Sequence, residues 1–159
     1  MDLSGADLTG ADLSGADLTG ANLAGANMRR TAEDQRRATK LNRTNMSNAN
    51  FSGVSLTGLD LVGSLASGVD FSGANLTHAN LASMNLSHAN LAGADLSFAK
   101  LSGADLTIAN LQSTNLANAD LTGARRRPDI TTFPPVSTPV TRFDLVGAVG
   151  LESVKGLPD

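Results

Sequence analysis

The chain has 159 residues, a formal net charge of −3 and no cysteine, which excludes disulfides, thiolate catalysis and Cys-bound zinc and fits a reducing compartment. Its length points to a single domain, and no apolar run approaches a membrane span, so a soluble, cytoplasmic protein without membrane contact is expected. From the first residues a leucine recurs at every fifth position: Leu3, Leu8, Leu13, Leu18 and Leu23, then, after a break, Leu76 and onward at the same interval to Leu121. A period of five matches neither the roughly 3.6 of a helix nor the roughly 2 of a strand. It describes a coiled path in which each five-residue step turns a corner and returns an apolar side chain to a common axis, as in solenoids.

The unit reads Ala6-Asp7-Leu8-Thr9-Gly10 or Ala89-Asn90-Leu91-Ala92-Gly93. Leu and the Ala two residues before it share the inner face of a short extended segment. Asp or Asn faces outward or bonds nearby backbone, and Gly, Ser or Thr make the corner, where Gly tolerates positive φ. Six units are centred on residues 3 to 28 and seventeen on 41 to 121. This pattern is similar to the A-(D/N)-L-x-x consensus of the pentapeptide-repeat family. The resemblance implies an all-β fold, a right-handed quadrilateral β-helix with four units per coil, here of nearly six coils. Residues twenty apart then stack in columns, with Leu81, Leu86, Leu91, Leu96, Leu101, Leu106, Phe51 and Phe71 in the core.

Between Met28 and Leu41 the spacing is thirteen, so about eight residues are extra and RRTAEDQRRATK, residues 29–40, is expected to bulge as a loop. Thr31 followed by Asp34 is compatible with one helical turn there. The loop carries Arg29, Arg30, Arg36, Arg37 and Lys40 against Glu33 and Asp34, whereas residues 1–28 and 41–124 carry nine Asp against Arg43 and Lys100. An acidic rod repels nucleic acid, which leaves only the loop or Arg125, Arg126 and Arg127 as basic points for it.

At 54–70, Val54, Leu59 and Val69 stand in the alanine slot while Ala66 stands in the leucine slot, a large-for-small exchange that suggests volume compensation. The repeat domain is read as 1–124 and the remainder, 125–159, as a tail. Residues 130–143 are too proline-rich to continue a hydrogen-bonded coil, and Phe143, Leu145, Val149, Leu151, Val154 and Leu157 are expected to cover the last coil. No such cap precedes the first coil. Pairing of that uncapped end, as in a homodimer, is one way to protect it, solubility from Asp and Gly alone another. Met1 in an alanine slot is also compatible with a segment of a longer protein.

No enzyme inventory is present. His78 and His88 are ten residues apart, half a coil, and so cannot share a metal or substrate. There is no GxSxG or GxxxxGK motif and no more than one acid per unit, so no catalytic residue, cofactor or metal is expected. What remains is surface: the corner position becomes His78 then Phe98 in one column, and His88 then Ile108 in the opposite one, unless the tail lies over them. These four residues, with Arg29, Arg30, Arg36 and Arg37 of the loop, are the candidate partner contacts. The function read from sequence is a rigid scaffold for protein–protein interaction. The alternatives are a DNA mimic acting on gyrase or topoisomerase, as in the quinolone-resistance branch of the family, and a structural module of a larger protein. The outward Ser47, Ser67, Ser87, Thr107 column is too irregular for an ice-binding ladder.

Overall fold

A computed structural model describes residues 1–28, 38–126, 138–139 and 148–156. The chain winds as a coil whose residues pair with those one turn on. Ladder residues, the Asp or Asn before each Leu, form parallel bridges at twenty-residue spacing, as in Asp2 with Asn22, Asn85 with Asp105 and Asp105 with Arg125. Across the insertion Asp12 pairs with Lys40, Asp17 with Asn45 and Asn22 with Asn50, each twenty-eight apart. The insertion therefore adds eight residues and leaves the register intact. Thr39 and Lys40, counted with the loop in sequence, belong to the coil, because their unit is centred on buried Leu41.

Three kinds of backbone bond repeat between coils, and a fourth within each unit. The Leu81 N–H donates to the Lys100 carbonyl one coil on at 2.8 Å, the Lys100 N–H returns to Ala79 at 2.9 Å, and the Phe98 N–H donates to Ala117 at 2.9 Å. Within each unit the alanine N–H closes the corner on the preceding leucine carbonyl, as Ala99 does on Leu96 at 3.0 Å. Parallel pairing is normally buried on both faces. Here it is sustained with one wet face because each bridge is a single residue between corners.

The axis is filled as the columns require. Leu81, Leu86, Leu91, Leu96, Leu101 and Leu106 are all buried, and the Phe51 and Phe71 rings meet one coil apart with centroids 5.5 Å from each other. Val54, Leu59, Val69 and Ala66 are buried too, so the irregular stretch belongs to the core. Four alanine slots hold hydroxyls, and each is satisfied: Thr39 donates to the Leu8 carbonyl, Thr44 to Leu13, Ser64 to Leu41 and Thr114 to Leu91, at 2.7 to 3.0 Å. Each of these carbonyls also accepts a corner N–H, so the hydroxyl takes its second lone pair.

At the C-terminal end Val149 pairs with Asn115 and Lys155 with Asp120, while Leu151 and Val154 pack on the core, so this part of the tail lies on the last coil. Strands β1 (Arg125–Arg126) and β2 (Thr138–Pro139) pair antiparallel. Phe143, Leu145 and Leu157 lie outside the described residues. Gly150 and Gly156, at φ 74° and 86°, let the tail lie on the coil: a Cβ would come within 2.8 Å of Ala117 N at the first and 2.5 Å of Thr122 Cα at the second. Gly156→Ala is therefore expected to lift the tail at a local cost of about 2 kcal/mol. Hydrogen exchange should then speed up at the Leu116 and Leu121 amides, which donate to Val149 and Lys155, and stay slow at Leu81.

Candidate functional site

The corner of each unit sits at positive φ, the left-handed region. Gly fills most corners, but among the described residues nine that are not glycine stand there, His78, His88, Phe98 and Ile108 among them at 57° to 60°. Outside glycine this conformation costs on the order of 1–2 kcal/mol per residue, and for a β-branched side chain such as Ile108 it is a real outlier. A corner points its side chain away from the axis. Phe98 is 51% exposed and Ile108 48%, and both histidines are exposed, so burial does not offset the strain.

The two columns are Gly58, His78, Phe98, Asn118 and, half a coil away, Asn48, Gly68, His88, Ile108. In the first, the His78 and Phe98 rings stack nearly parallel, 12° apart with centroids at 4.9 Å. The described part of the tail stops one coil short of this pair: Ser153 Oγ accepts from the Asn118 N–H at 2.9 Å, and Phe98 stays open. His78 and His88 are not brought together, and among the described residues no group of three or more His, Asp or Glu is placed to hold a metal. Arg29, Arg30, Arg36 and Arg37 lie outside the described residues.

Two exposed apolar residues escaped the sequence reading. Leu65, 54% exposed, stands in the ladder slot between Asn45 and Asn85, and Val62 stands just before the Gly63 corner at 40%. Leu65 is the one apolar residue in a ladder slot otherwise polar, and Val62 stands in a slot otherwise held by polar residues or Ala.

The ladder itself is an electrostatic surface. Each acid turns a side-chain oxygen onto the N–H two residues on, as Asp95 does to Ser97 and Asp105 to Thr107, both at 2.9 Å. Asn does the same, and in several columns its amide also donates to the Asp one coil back, as Asn90 does to Asp70 at 3.1 Å. In the first coil hydrogen bonds favour the charged form. The Ser4 N–H holds Asp2 below the usual carboxylate range, the Thr9 and Thr19 hydroxyls do so for Asp7 and Asp17, and Lys40 Nζ, 2.7 Å from its Oδ2, takes Asp12 to about 2.

Beside the insertion the ladder opens. No bridge joins Asn27 to Ser55 or Lys40 to Asp60 among the described residues. Open clefts of about 270 Å³ and about 210 Å³ lie there, the first lined by Gly25, Ala26, Asn27, Gly53 and Ser55 and the second including Lys40, Leu59 and Asp60. Among the described residues the first holds no titratable side chain, and in the second Lys40 is engaged by Asp12. Among the described residues no helix is long and apolar enough to cross a membrane.

The solved pentapeptide repeat protein Rfr23 from the cyanobacterium Cyanothece 51142 is 31% identical over 72% of this chain and 86% of its own, with a TM-score of 0.40. A pentapeptide repeat protein from the Arabidopsis thaliana thylakoid lumen is 25% identical over 89% and 88%, with a TM-score of 0.38. QnrB1, a plasmid-mediated fluoroquinolone resistance protein, is 22% identical over 77% and 78%, with a TM-score of 0.34. No curated protein matches. Pentapeptide repeats, in 8 copies, account for residues 2–31, 37–65, 70–107 and 89–125, and with that share of its length built from them the chain belongs to the pentapeptide-repeat family.

Proposed function

We propose that this protein is a non-enzymatic, right-handed quadrilateral β-helix that serves as a rigid scaffold for protein–protein contact, with the corner columns His78–Phe98 and His88–Ile108 as its contact surface. The observation that carries the reading is the retention of bulky side chains at left-handed corners where they are half exposed. Backbone strain held without burying the side chain is the kind found at functional positions. A cytoplasmic location accords with the absence of cysteine. Mimicry of duplex DNA is less well supported, because the ladder alternates Asp with Asn, Lys and Arg and forms no continuous acidic stripe.

Replacing Phe98 and Ile108 by Gly separates contact from packing. Each change should leave the melting temperature unchanged or raise it, by up to about 1 kcal/mol of stability as strain is relieved. The same variants should lose the protein that the parent retains when immobilised in extract of its own cell. A loss of more than about 1 kcal/mol would show the side chains to be structural, and undiminished retention of the same protein would remove the corners from the interface.

A further inference from the structure

Coils two and three are joined along one side only. Their ladder residues are Asn22, Asn27, Lys40 and Asn45 in the second coil and Asn50, Ser55, Asp60 and Leu65 in the third, and among the described residues the first and last of these pairs are bridged while the middle two are not. Asn50 follows Asn45 in the winding, so the two closed rungs are neighbours and the two open ones lie together, either side of the corner of Ala38 and Gly58. The closed rungs are of ordinary length, with the Leu23 N–H on Asn50 at 2.8 Å and the Met46 N–H on Leu65 at 2.7 Å. The corner bonds that bound the opening, Gly25 N–H to Ser52 and Arg43 N–H to Val62, are both 3.2 Å, against 2.8 to 3.0 Å for the corner bonds donated between Asn48 and Gly103.

Inside the opening the backbone is unpaired. The Met28, Leu41, Ser55 and Asp60 N–H groups, which the repeating pattern would send to Ser55, Asp60, Ala26 and Thr39, donate no hydrogen bond among the described residues. Met28 and Leu41 are buried, so two of these donors are held away from bulk water without a partner, which weakens the wall at this level. The clefts of about 270 Å³ and about 210 Å³ lie on the same two sides. The axis itself stays shut, with Leu56 and Leu61 fully buried.

The coils on either side are fastened more firmly. The Thr39 and Thr44 hydroxyls tie coil two to coil one through the Leu8 and Leu13 carbonyls. Coil three is bridged to coil four at all four rungs, from Asn50 with Asp70 to Leu65 with Asn85. At the closed edge Ser64 Oγ accepts from the Thr44 N–H at 3.1 Å and donates to the Leu41 carbonyl at 2.7 Å, which ends the opening there. Two stiff blocks therefore meet along a single edge.

We propose that the rod is hinged between its second and third coils: coils one and two rock as one block about the edge of the Asn22–Asn50 and Asn45–Leu65 rungs, and the mouth between Asn27 and Ser55 and between Lys40 and Asp60 opens and closes. A few residues absorb the change while the parts on either side stay rigid, as hinge motion requires. The corner columns of His78 and His88 both ride on the upper block, so a partner that also touches coils one or two selects one bend. The hinge itself does not rest on those columns being a contact surface.

The chain has no cysteine, so spin labels attach only where a cysteine is introduced. Three pairs each span three coil steps, about 14 Å of rise: Thr9→Cys with Thr77→Cys across the mouth, Thr19→Cys with Ser87→Cys across the hinge edge, and Ser52→Cys with Gln112→Cys wholly above the opening. Distance distributions from pulsed electron paramagnetic resonance should be at least about twice as broad for the mouth pair as for either of the others. In the unsubstituted chain the Ser55 and Asp60 amides should exchange at least about a hundredfold faster than those of Asn75 and Asn80, which donate to Val54 and Leu59 at 2.9 Å. A mouth pair that falls short of that breadth, or Ser55 and Asp60 amides as protected as Asn75 and Asn80, would overturn the proposal.

Discussion

Leu91→Asp is expected to abolish the folded rod. Leu91 is fully buried, one coil from Phe71 in the same column, and no buried polar group without a partner exists among the described residues to receive a new one. A carboxylate there is either charged in a dry axis or protonated with an unmatched hydroxyl, and both cost more than a six-coil rod can spare, about 4 kcal/mol or above. Neighbouring coils do not escape, because each is stabilised mainly by the one beside it. Circular dichroism on heating should show no cooperative transition for this variant. Leu91→Met, which conserves volume, should still melt cooperatively, within about 1.5 kcal/mol of the parent. A Leu91→Asp protein that melts like the parent would refute the inward assignment of the leucine slot.

The columns were legible because one slot dominates the energetics. A leucine every fifth residue admits only a path that brings every fifth residue inside, and once four units close a coil, the stacking of Phe51 on Phe71 and the exposure of Phe98 and Ile108 follow from counting. The eight-residue excess at 29–40 was countable for the same reason. What escaped counting depends on atoms. Thr39, Thr44, Ser64 and Thr114 look like polar intrusions in the alanine slot, yet each hydroxyl finds the free lone pair of a leucine carbonyl in the coil before it. The opening of the ladder at Asn27 and Ser55 and at Lys40 and Asp60 falls beside the insertion and on the units where Val54 and Leu59 replace alanine, but neither irregularity indicates which bridges are missing. The tail has no period, so its apolar content indicated that it covers something but not that Gly150 and Gly156 would seat it on Ala117 and Thr122.

The candidate site was legible in its positions and not in its strain. Counting placed His78 beneath Phe98; the backbone adds that both are held left-handed and that their rings stack. Only that second fact separates these corners from the scattered apolar residues of any surface, since a lone exposed Phe or Ile is unremarkable.

Phe71→Ala is expected to cost about 3–5 kcal/mol, the range for truncating a fully buried aromatic. Height along the axis is fixed by the backbone ladder, so coils cannot close over a missing ring by shortening, and the void persists between Phe51 and Leu91. Phe71→Leu restores the residue most common in this slot and should cost far less, about 1 kcal/mol. In urea the Ala variant should unfold at a lower midpoint with an unchanged slope. The coil of Phe51 provides the opposing case: it combines Phe51 with Ala66 in the leucine slot and Leu59 and Val54 in the alanine slot, all buried. If that coil is already filled, Ala66→Leu should destabilise by about 1–3 kcal/mol through overpacking. A neutral or stabilising Ala66→Leu would mean that unfilled space, not compensation, accompanies the small residue at that position.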